Sequence, residues 1–414
     1  MTALTDVDPS SDPPASAPGT ADAAKRKGRG RRRHAVAKVI LASVLVLAMA
    51  TGLTVVFLYR HLNGNLDVID VTKQLQDRPK KVAVEGPKEP LNVLVMGSDT
   101  RRGVGNQVDK QLDIGQRSDT TILLHLSADR ERAYGISIPR DSVVNRPKCT
   151  TSKGTAIAPE QGVLWNDAFS VGGPACTIQQ FEQLTGVRLD HFVVVDFNGF
   201  RGMVDAIGGV QVCIPEDIVD PAHGIRIPAG NRKLEGQQAL NYVRERYVVG
   251  NGSDTGRMKR QQAFIASMAH QVVSSGTLAR PDRLVRFLEA ATESLTLDKG
   301  LGNLTKIAQI GLDFRGIGLD NIQFLTIPNT VDPNDPNHLV WLPQAKQVWK
   351  KIANDEPLTR RLASDVISAG NVPGQKSGGG NKGSASPSAS PSGSAKPDSE
   401  QADKQALEDA GLCA

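Results

Sequence analysis

An uncharged apolar stretch near the N-terminus limits the folds open to this chain more than any other feature. Residues 39–59, VILASVLVLAMATGLTVVFLY, contain no charged side chain over 21 positions. As an α-helix this stretch is about 30 Å long at roughly 1.5 Å per residue, which equals the thickness of the hydrocarbon core of a bilayer. The stretch therefore predicts a transmembrane helix.

The charge on either side of this stretch predicts its orientation. Residues 1–24 are rich in Ser, Pro, Ala and Asp, a composition typical of disorder, and are followed by the basic block KRKGRGRRRH. The positive-inside rule places that block in the cytoplasm and the rest of the chain outside the cell membrane. A cleaved signal peptide is the alternative, since AMA at residues 48–50 resembles a cleavage site, but the apolar run continues for nine residues beyond it. Either alternative exports the remaining chain.

The distribution of charge argues against a nucleic-acid partner. The formal net charge is +5, and residues 1–38 account for most of it, with eight Lys or Arg against four Asp. The rest of the chain is nearly neutral, whereas a duplex-binding domain needs a basic face. Aromatic residues make up 4% of the chain, which leaves few platforms for stacking single-stranded bases. We therefore predict no nucleic-acid partner.

Four cysteines occur, and export makes disulfides more plausible for them than metal binding, since none forms a CxxC pair. Cys149 and Cys176 flank one loop-rich stretch and are predicted to pair. On a chain-entropy estimate such a bridge is worth about 3–4 kcal/mol. A bridge between Cys213 and Cys413 is the possibility left over.

Changes in composition divide the chain into five predicted parts. Low-complexity Gly/Ser/Pro sequence marks a linker near the C-terminus, and alternating strand-like and helix-like patterns mark one large α/β domain before it. The predicted parts are a disordered basic cytoplasmic tail (1–38), the transmembrane helix (39–59), an extracellular stalk (60–90), the α/β domain (91–358), and the linker with a short C-terminal segment (359–414).

Charged residues flank three predicted strands at the start of the α/β domain: LNVLVMG (91–97), TTILLHL (120–126) and AYGISIP (133–139). These charged residues are Asp99, Arg117, Asp119, Arg140 and Asp141. If the consecutive strands are antiparallel, the end of the first, the start of the second and the end of the third meet at one sheet edge. A single charge at a strand end is often merely solvated, but two carboxylates without His or Cys suit Mg²⁺ or Mn²⁺, with water and phosphate as further ligands.

A second cluster of basic residues lies in VRERYVVGNGSDTGRMKRQQ, residues 243–262. A helix predicted over residues 234–247 must end near Arg244 and Arg246 for both to reach one ligand, because residues two apart face opposite sides. A second helix is predicted to begin with Asp254 or Thr255 as its N-cap. Its free N–H groups favour an anion, and arginine forks bind phosphate oxygens in pairs. The stretch therefore predicts a phosphate site.

The ordered set of motifs resembles the LytR-CpsA-Psr enzymes of Gram-positive cell envelopes over most of residues 91–350. The motifs are GSDTR, RSDTTILLHL, SIPRDS, NDAFSVGGP, VVVDFNGF, DAIGGV, LEGQQALNYVRERY and GRMKRQQ. The resemblance implies an α/β fold in which helices flank a mixed central β-sheet and an apolar tunnel holds a lipid chain. One departure is the segment Val163, Leu164 and Trp165, where family members often have a lysine.

The resemblance also implies roles for individual residues. Asp99 and Asp119 are expected to hold Mg²⁺. The residues expected to bind the lipid pyrophosphate are Arg117, Arg140, Arg244, Arg246 and Arg257, with Gln261 beside them; Arg260 belongs to the same basic cluster and is predicted to bind with them. Asp141, kept ionised by the neighbouring Arg140, is the predicted base.

The expected activity is transfer of a glycopolymer from a polyprenyl-pyrophosphate carrier to a peptidoglycan hydroxyl at the cytoplasmic membrane. Positioning and charge neutralisation supply most of the catalysis in phosphoryl transfer, so arginines and a metal ion suffice. The sequence has no GxSxG, HExxH or P-loop motif, which argues against the commonest hydrolases and nucleotide-dependent enzymes. Two alternatives are a pyrophosphatase acting on the same lipid and a non-catalytic envelope regulator that binds lipid-linked glycan.

Overall fold

The computed structural model describes residues 28–98, 118–274, 280–359, 361–362, 366–374 and 397–413. The chain forms two compact units, Met1–Arg60 and His61–Ala414. The described helices are α1 (Gly28–Gly64), α2 (Asp167–Thr185), α3 (Phe197–Ala206), α4 (Gly236–Arg244), α5 (Asp254–Ser274), α6 (Pro281–Ser294), α7 (Leu304–Ile317), α8 (Pro343–Ala353) and α9 (Pro397–Asp409).

The described strands are two to nine residues long. They are β1 (Asp67–Ile69), β2 (Leu91–Ser98), β3 (Ser118–Leu126), β4 (Ala133–Ile138), β5 (Val143–Arg146), β6 (Cys149–Thr150), β7 (Ala156–Ile157), β8 (Glu160–Leu164), β9 (His191–Asp196), β10 (Val210–Ile214), β11 (Ile218–Asp220), β12 (Ile225–Ile227), β13 (Gly230–Leu234), β14 (Leu295–Asp298), β15 (Ile322–Thr326), β16 (Asn329–Asp332), β17 (Asp335–Trp341) and β18 (Ile367–Ser368).

Helix α1 contains the apolar stretch singled out in the sequence. Its segment from His34 to Gly64 is long and apolar enough to cross a membrane, judged by length and composition. Large apolar side chains such as Leu47 and Phe57 are exposed along it, as expected for a helix that faces lipid. A single-pass membrane anchor is therefore indicated, and the orientation of the termini stays a prediction.

A mixed eight-stranded sheet forms the centre of the second unit, in the order β1-β14-β9-β2-β3-β4-β15-β18. Strands β2, β3 and β4 are antiparallel to their sequence neighbours, whereas β9 and β15 pair in parallel with β2 and β4. The apolar runs of the central strands are buried on both faces, which is why they lack a polar alternation in sequence. The predicted mixed central sheet is confirmed.

Helices cover both faces of this sheet. On one face, Leu94 and Ile136 pack in a core that contains Phe181 of α2 and Trp349 of α8. On the other face, α5 supplies Ala263 and Ala266 to a second core. A third core lies among α3, α4, α5 and the hairpin of β10 and β13. Helix α5 therefore links the sheet to this third core.

The second unit extends beyond the boundaries predicted for the α/β domain, residues 91 and 358. Strand β1 lies in the predicted stalk, yet it pairs with β14 at one edge of the main sheet. Strand β18 lies in the predicted linker, yet it pairs with β15 at the other edge. Strands of two or three residues are too short to give a periodic signal in sequence.

Both disulfide pairings are present. Cys149 and Cys176 are joined as predicted, which connects β6 to α2. Cys213 of β10 is joined to Cys413, the pairing that sequence left over, across 200 positions of the chain. The second bridge attaches the C-terminus to the hairpin of β10 and β13.

A buried polar network joins β3 to the end of α8. His125 is 1% exposed, and its Nδ1 and Nε2 lie 2.7 Å from Asn92 Oδ1 and 3.1 Å from Asp355 Oδ1. Asp355 also accepts a hydrogen bond of 2.8 Å from the Ala128 N–H. Burial by itself raises the pKa of the Asp355 carboxyl, but the bonds from His125 and Ala128 outweigh burial and hold that pKa below its usual value.

Acid is expected to destabilise the second unit through Asp355. Because its folded-state pKa is depressed, its contribution is complete above the unfolded pKa of about 3.9 and is lost as pH falls through the lower folded pKa. Asp355→Asn is therefore expected to lower the thermal midpoint at neutral pH and to weaken its decline below about pH 4. Thermal unfolding followed by circular dichroism at several pH values measures both effects. An Asp355→Asn chain that loses stability in acid as steeply as the parent contradicts this assignment.

Candidate functional site

The register of β2, β3 and β4 brings three strand termini to one edge of the sheet. Ser98 at the end of β2 pairs with Ser118 at the start of β3, and Thr121 pairs with Ile138 at the end of β4. The predicted antiparallel arrangement is therefore confirmed. Of the charged residues predicted at this edge, Asp99 and Arg117 lie outside the described residues, and Asp119 is described only by its place in β3.

A small pocket opens at this edge, between the strands and the first turns of α5. The strands and the residues after β4 contribute Thr120, Thr121, Ser137, Ile138 and Arg140. Helix α5 contributes Asp254, Arg257, Met258 and Gln261. The fold thus gathers Arg140, Arg257 and Gln261 around one cavity, although more than 100 positions separate the first of them from the other two.

Asp254 is a pocket residue that the sequence did not indicate as functional. Its Oδ1 forms an ion pair with Arg257 and lies 3.9 Å from Arg140 Nε, and its side chain is 11% exposed. The prediction that Asp254 or Thr255 caps α5 is wrong by one residue. Ser253 Oγ accepts the Gly256 N–H at 3.1 Å and is the cap, so the Asp254 carboxylate is available to the arginines. Acidic residues are common in a first helical turn, and that local preference hid its role.

The electrostatics of the pocket favour an anion. Among the described residues that line the pocket, the guanidinium groups of Arg140 and Arg257 face the carboxylate of Asp254, and Asp141 contacts Arg140 from beside the pocket. The side chain of Arg257 is 5% exposed, so water screens its charge weakly. The N-terminus of α5 adds the partial positive charge of its N–H groups to the same place.

Gln261 joins two of the elements that carry predicted site residues. Its Nε2 donates to the Val243 carbonyl at 3.0 Å, and its Oε1 accepts from Thr120 Oγ1 at 3.3 Å. Val243 directly precedes Arg244, and Thr120 directly follows Asp119. Gln261 therefore sets the spacing between the start of β3 and the end of α4. Its predicted contact with phosphate stays a prediction.

Helix α4 ends at Arg244, and Glu245 has a non-helical backbone conformation, which confirms the prediction that the helix ends near the two arginines. The Arg244 guanidinium lies over the Phe197 ring, 4.6 Å from its centroid, and that of Arg246 lies 5.9 Å from the Tyr247 ring centroid. Among the described residues, neither arginine lines the pocket between β4 and α5. Both lie on the segment next to it, so their predicted phosphate contacts require a ligand that extends toward α4.

The backbone after α4 is held by a buried carboxylate. Glu245 is 5% exposed, and its Oε1 accepts the N–H groups of Arg246 and Tyr247 at 2.8 Å and that of Val248 at 3.3 Å. Three hydrogen bonds to one charged oxygen define the local conformation tightly. Arg246 is therefore presented by a fixed loop.

Arg260 is not among the described residues that line the pocket. It is 1% exposed, and its guanidinium donates to the carbonyls of Ala410 at 3.0 Å, Val249 at 3.4 Å and Glu245. Burial lowers the pKa of this guanidinium from its usual value. A structural role therefore replaces the predicted ligand-binding role, because both terminal nitrogens of the guanidinium already donate to carbonyl oxygens of the protein.

Asp141 stands beside the pocket. Its Oδ1 is 3.4 Å from Arg140 Nε, and its backbone carbonyl accepts from the Leu339 N–H at 3.0 Å. Arg140 itself lines the pocket. The position is compatible with a base near a bound substrate, and the assignment of that role to Asp141 stays a prediction.

Trp165 belongs to the segment in which the resemblance led us to expect a lysine. It is fully buried, its Nε1 donates to Thr121 Oγ1 at 3.1 Å, and its N–H donates to the Ser142 carbonyl at 2.8 Å. Thr121 is a wall residue of the pocket. An aromatic side chain therefore supports the pocket wall from behind at this position.

Within the part of the chain that the structure describes, no group of three His, Cys, Asp or Glu side chains is arranged to hold a metal. The two predicted ligands, Asp99 and Asp119, have no described side chains. The pairing of Ser98 with Ser118 does join the two segments that carry them.

Comparisons with known proteins agree with this architecture. The model of the LytR_cpsA_psr family matches residues 58–354. A probable cell wall biosynthesis protein, LcpB of Corynebacterium glutamicum, is 32% identical over 295 residues, which cover 69% of this chain and slightly less than two thirds (66%) of that protein. The polyisoprenyl-teichoic acid–peptidoglycan teichoic acid transferase TagV of Bacillus subtilis is 26% identical over 309 residues, 73% of this chain and 74% of that protein.

A solved structure shows the same fold. The LytR-Csp2A-Psr enzyme from Actinomyces oris superposes with a TM-score of 0.51 at 20% identity, over 70% of this chain and 96% of that chain. The mixed sheet with helices on both faces is thus the fold of a solved structure as well. The family model matches more than half of the length of this chain, and the chain therefore belongs to the LytR_cpsA_psr family.

Proposed function

We propose that this protein transfers a glycopolymer from a polyprenyl-pyrophosphate carrier to a hydroxyl group of peptidoglycan, and that it does so outside the cytoplasmic membrane in which α1 anchors it. Relatives named as teichoic acid transferases and cell wall biosynthesis proteins support glycopolymer transfer in general. The observation that carries the proposal is the pocket in which Arg140 and Arg257 meet at the N-terminus of α5.

This pocket suits a diphosphate group. Guanidinium forks bind the oxygens of a phosphate in pairs, and the low exposure of Arg257 strengthens its attraction for an anion. Asp254 balances part of the positive charge, so that the two arginines are held in place before a ligand arrives. We propose that Arg244 and Arg246, on the segment joined to α5 by Gln261, contact the same diphosphate from the side of α4.

The proposed reaction is a single displacement at phosphorus. The peptidoglycan oxygen forms a bond to the sugar-linked phosphorus, and the bond from that phosphorus to the bridging oxygen breaks. Polyprenyl phosphate leaves with the bonding electrons, and the hydroxyl proton passes to a base, for which we propose Asp141. Arg140 and Arg257 offset the negative charge on the phosphoryl oxygens and orient the donor, which is most of what phosphoryl transfer requires.

A divalent cation fits the proposed site chemically. Asp99 and Asp119 are hard oxygen donors of the kind that Mg²⁺ or Mn²⁺ prefers. Asp99 directly follows Ser98 in sequence, and Ser98 pairs with Ser118, the residue before Asp119. When bound, Mg²⁺ would neutralise part of the charge of the diphosphate. We propose Asp99 and Asp119 as its protein ligands.

Removal of divalent cations is expected to lower glycan transfer by the purified chain at least about tenfold, because metal-assisted charge neutralisation is a large term in phosphoryl transfer. Transfer is measured after EDTA treatment and again after Mg²⁺ or Mn²⁺ is added back. Asp99→Ala and Asp119→Ala chains are expected to stay inactive at all Mg²⁺ concentrations. Asp282→Ala, at an exposed carboxylate of α6, is the control and keeps the response to Mg²⁺. Undiminished glycan transfer in EDTA would show that the reaction needs no divalent cation.

The lipid tail needs an apolar site beside the diphosphate. Partly buried apolar side chains of α3, α5 and α6, namely Phe200, Met268, Val272 and Phe287, pack on the core among α3, α4 and α5. Val243 of that core lies next to Arg244 and accepts the hydrogen bond from Gln261. We propose that the predicted apolar tunnel for the prenyl chain lies among these side chains.

Product analysis tests the proposed function. The full-length chain in detergent is incubated with a polyprenyl-diphosphate-linked glycan and peptidoglycan, and the products are identified by mass spectrometry. We expect glycan joined to peptidoglycan through a phosphodiester, with release of polyprenyl phosphate. Free glycan phosphate in place of that product indicates a pyrophosphatase. A donor that binds and stays intact indicates a regulator that binds lipid-linked glycan.

A further inference from the structure

The last residues of the chain are built into the support of the phosphate site. Helix α9 ends at Asp409, and the residues after it place Ala410 and Leu412 in the core that contains Ala263 and Ala266 of α5. Both C-terminal side chains are almost fully buried. The family match ends at residue 354, so this segment lies beyond the part of the chain that defines the family.

The C-terminal segment, residues 409–413, contacts the loop that follows α4. We name residues 244–253, that is, the last residue of α4 and the loop after it, the arginine loop; it includes Arg244 and Arg246. The Asp409 carbonyl accepts the Asn251 N–H at 2.9 Å. A Cβ on Gly250 would overlap that carbonyl, and a Cβ on Gly411, whose φ is +68°, would overlap Val249. The two backbones approach so closely that both positions need glycine.

Arg260 connects the C-terminal segment, the arginine loop and α5. Its guanidinium donates to the carbonyl of Ala410 and also to the carbonyls of Val249 and Glu245. A buried guanidinium is costly to leave unpaired. If the C-terminal segment moves away, Arg260 loses the Ala410 carbonyl, and water then competes for its hydrogen bonds to Val249 and Glu245. Arg257 lies one turn earlier on the same helix. A change in the contacts of Arg260 therefore changes the distance between the arginine loop and Arg257.

The disulfide between Cys413 and Cys213 fixes the segment to the hairpin of β10 and β13. Strand β10 also packs against α5 and contributes Val212 and Ile214 to the core that includes Val243 and Val249. The covalent bond therefore joins the C-terminus to the same core on which the arginine loop rests. A tether at this point holds the segment against the loop with little loss of entropy on docking.

We propose that residues 409–413 are a positioning element of the phosphate site: they hold the arginine loop against α5 so that Arg244 and Arg246 face the diphosphate bound by Arg140 and Arg257. This inference rests on the proposed function, because it assigns the ligand of the arginine loop to that same site. The segment touches the loop and Arg260, and it acts on the ligand through them.

Binding of inorganic pyrophosphate tests this role. Calorimetry with Mg²⁺ is carried out on the full-length chain in detergent and on a Cys213→Ser/Cys413→Ser chain, at a temperature where circular dichroism shows both folded. We expect the dissociation constant of pyrophosphate to rise about tenfold in the variant, and the KM for the lipid-linked donor to rise more than kcat falls. The matched control is Cys149→Ser/Cys176→Ser, which removes the other disulfide and is expected to lower thermal stability with pyrophosphate affinity unchanged.

A second variant tests the same role if the double cysteine variant does not fold. Gly411→Ala keeps both disulfides but places a Cβ against Val249, and we expect it to weaken pyrophosphate binding in the same way. Unchanged affinity in the folded double variant or in Gly411→Ala overturns the inference. If the parent chain binds pyrophosphate, the variants bind it weakly and no glycan is transferred, the inference stands and the proposed function fails. If glycan is transferred and the variants bind pyrophosphate as tightly as the parent, the proposed function stands and the inference fails.

Discussion

Arg257→Ala is expected to reduce kcat/KM for glycan transfer by about 100- to 1000-fold, the usual cost of removing one preorganised donor from a phosphoryl or oxyanion site. The side chain of Arg257 is nearly buried, pairs with Asp254 and lines the pocket that Arg140 also lines. Its removal leaves Asp254 in the pocket with one cation fewer, so that a carboxylate then repels the diphosphate. Initial rates of transfer to peptidoglycan measure the effect.

Conservative replacement and a matched surface arginine sharpen this result. Arg257→Lys restores the charge but not the fork, so we expect it to recover about a tenth of the parental kcat/KM or less. Arg286→Ala removes an arginine of α6 that is 60% exposed and pairs with Asp282 at the surface; its rate is expected to stay within about twofold of the parent. An Arg257→Ala chain that is as active as Arg286→Ala removes the central support for the proposed site.

Trp165→Ala is expected to lower the free energy of unfolding of the second unit by about 3–5 kcal/mol, the range measured for truncation of a large buried aromatic side chain. Trp165 is fully buried, and its ring lies 6.5 Å from that of Phe181 and 5.9 Å from that of Trp341, centroid to centroid. The truncation removes these contacts and leaves a cavity behind the pocket wall. Chemical denaturation followed by circular dichroism measures the loss.

Two further variants separate packing from the hydrogen bond of Trp165. Trp165→Phe keeps most of the ring but removes the donor to Thr121 Oγ1, which is expected to cost about 1 kcal/mol beyond its packing loss. Tyr247→Ala, at an aromatic residue that is 76% exposed, is expected to change stability by less than about 0.5 kcal/mol. A Trp165→Ala chain within about 1 kcal/mol of the parent would show that the segment repacks without strain.

Local patterns in the sequence were sufficient for several parts of the structure. The uncharged stretch predicted α1, and three apolar runs with charged ends predicted that β2, β3 and β4 meet at one edge. These features depend on composition and hydrophobic periodicity within about ten residues, and patterns of that length are what indicate strands and helices in a sequence. The end of α4 at Arg244 was predictable for the same reason, since the glycine-rich sequence after it disfavours a helix.

Arg257 and Arg260 show where local sequence was insufficient. They are three positions apart on α5, both arginine, and a helix turns them only about 60° from each other. One lines the pocket with Asp254, and the other is buried against the carbonyls of Val249 and Ala410. Which of them meets a ligand depends on what packs against each side of α5, and no pattern within the helix records that.

The sequence by itself determined the apolar stretch of α1, the strand ends that meet at the pocket edge and the basic residues near them, because each is set by side-chain chemistry at short range. Tertiary structure alone decided that Asp254 lies between Arg140 and Arg257, and that the C-terminus docks on the loop after α4. The contacts of Asp254 with Arg140 and of Asp409 with Asn251 join positions more than 100 residues apart. They depend on the shapes of surfaces that exist only once the sheet and α5 are in place.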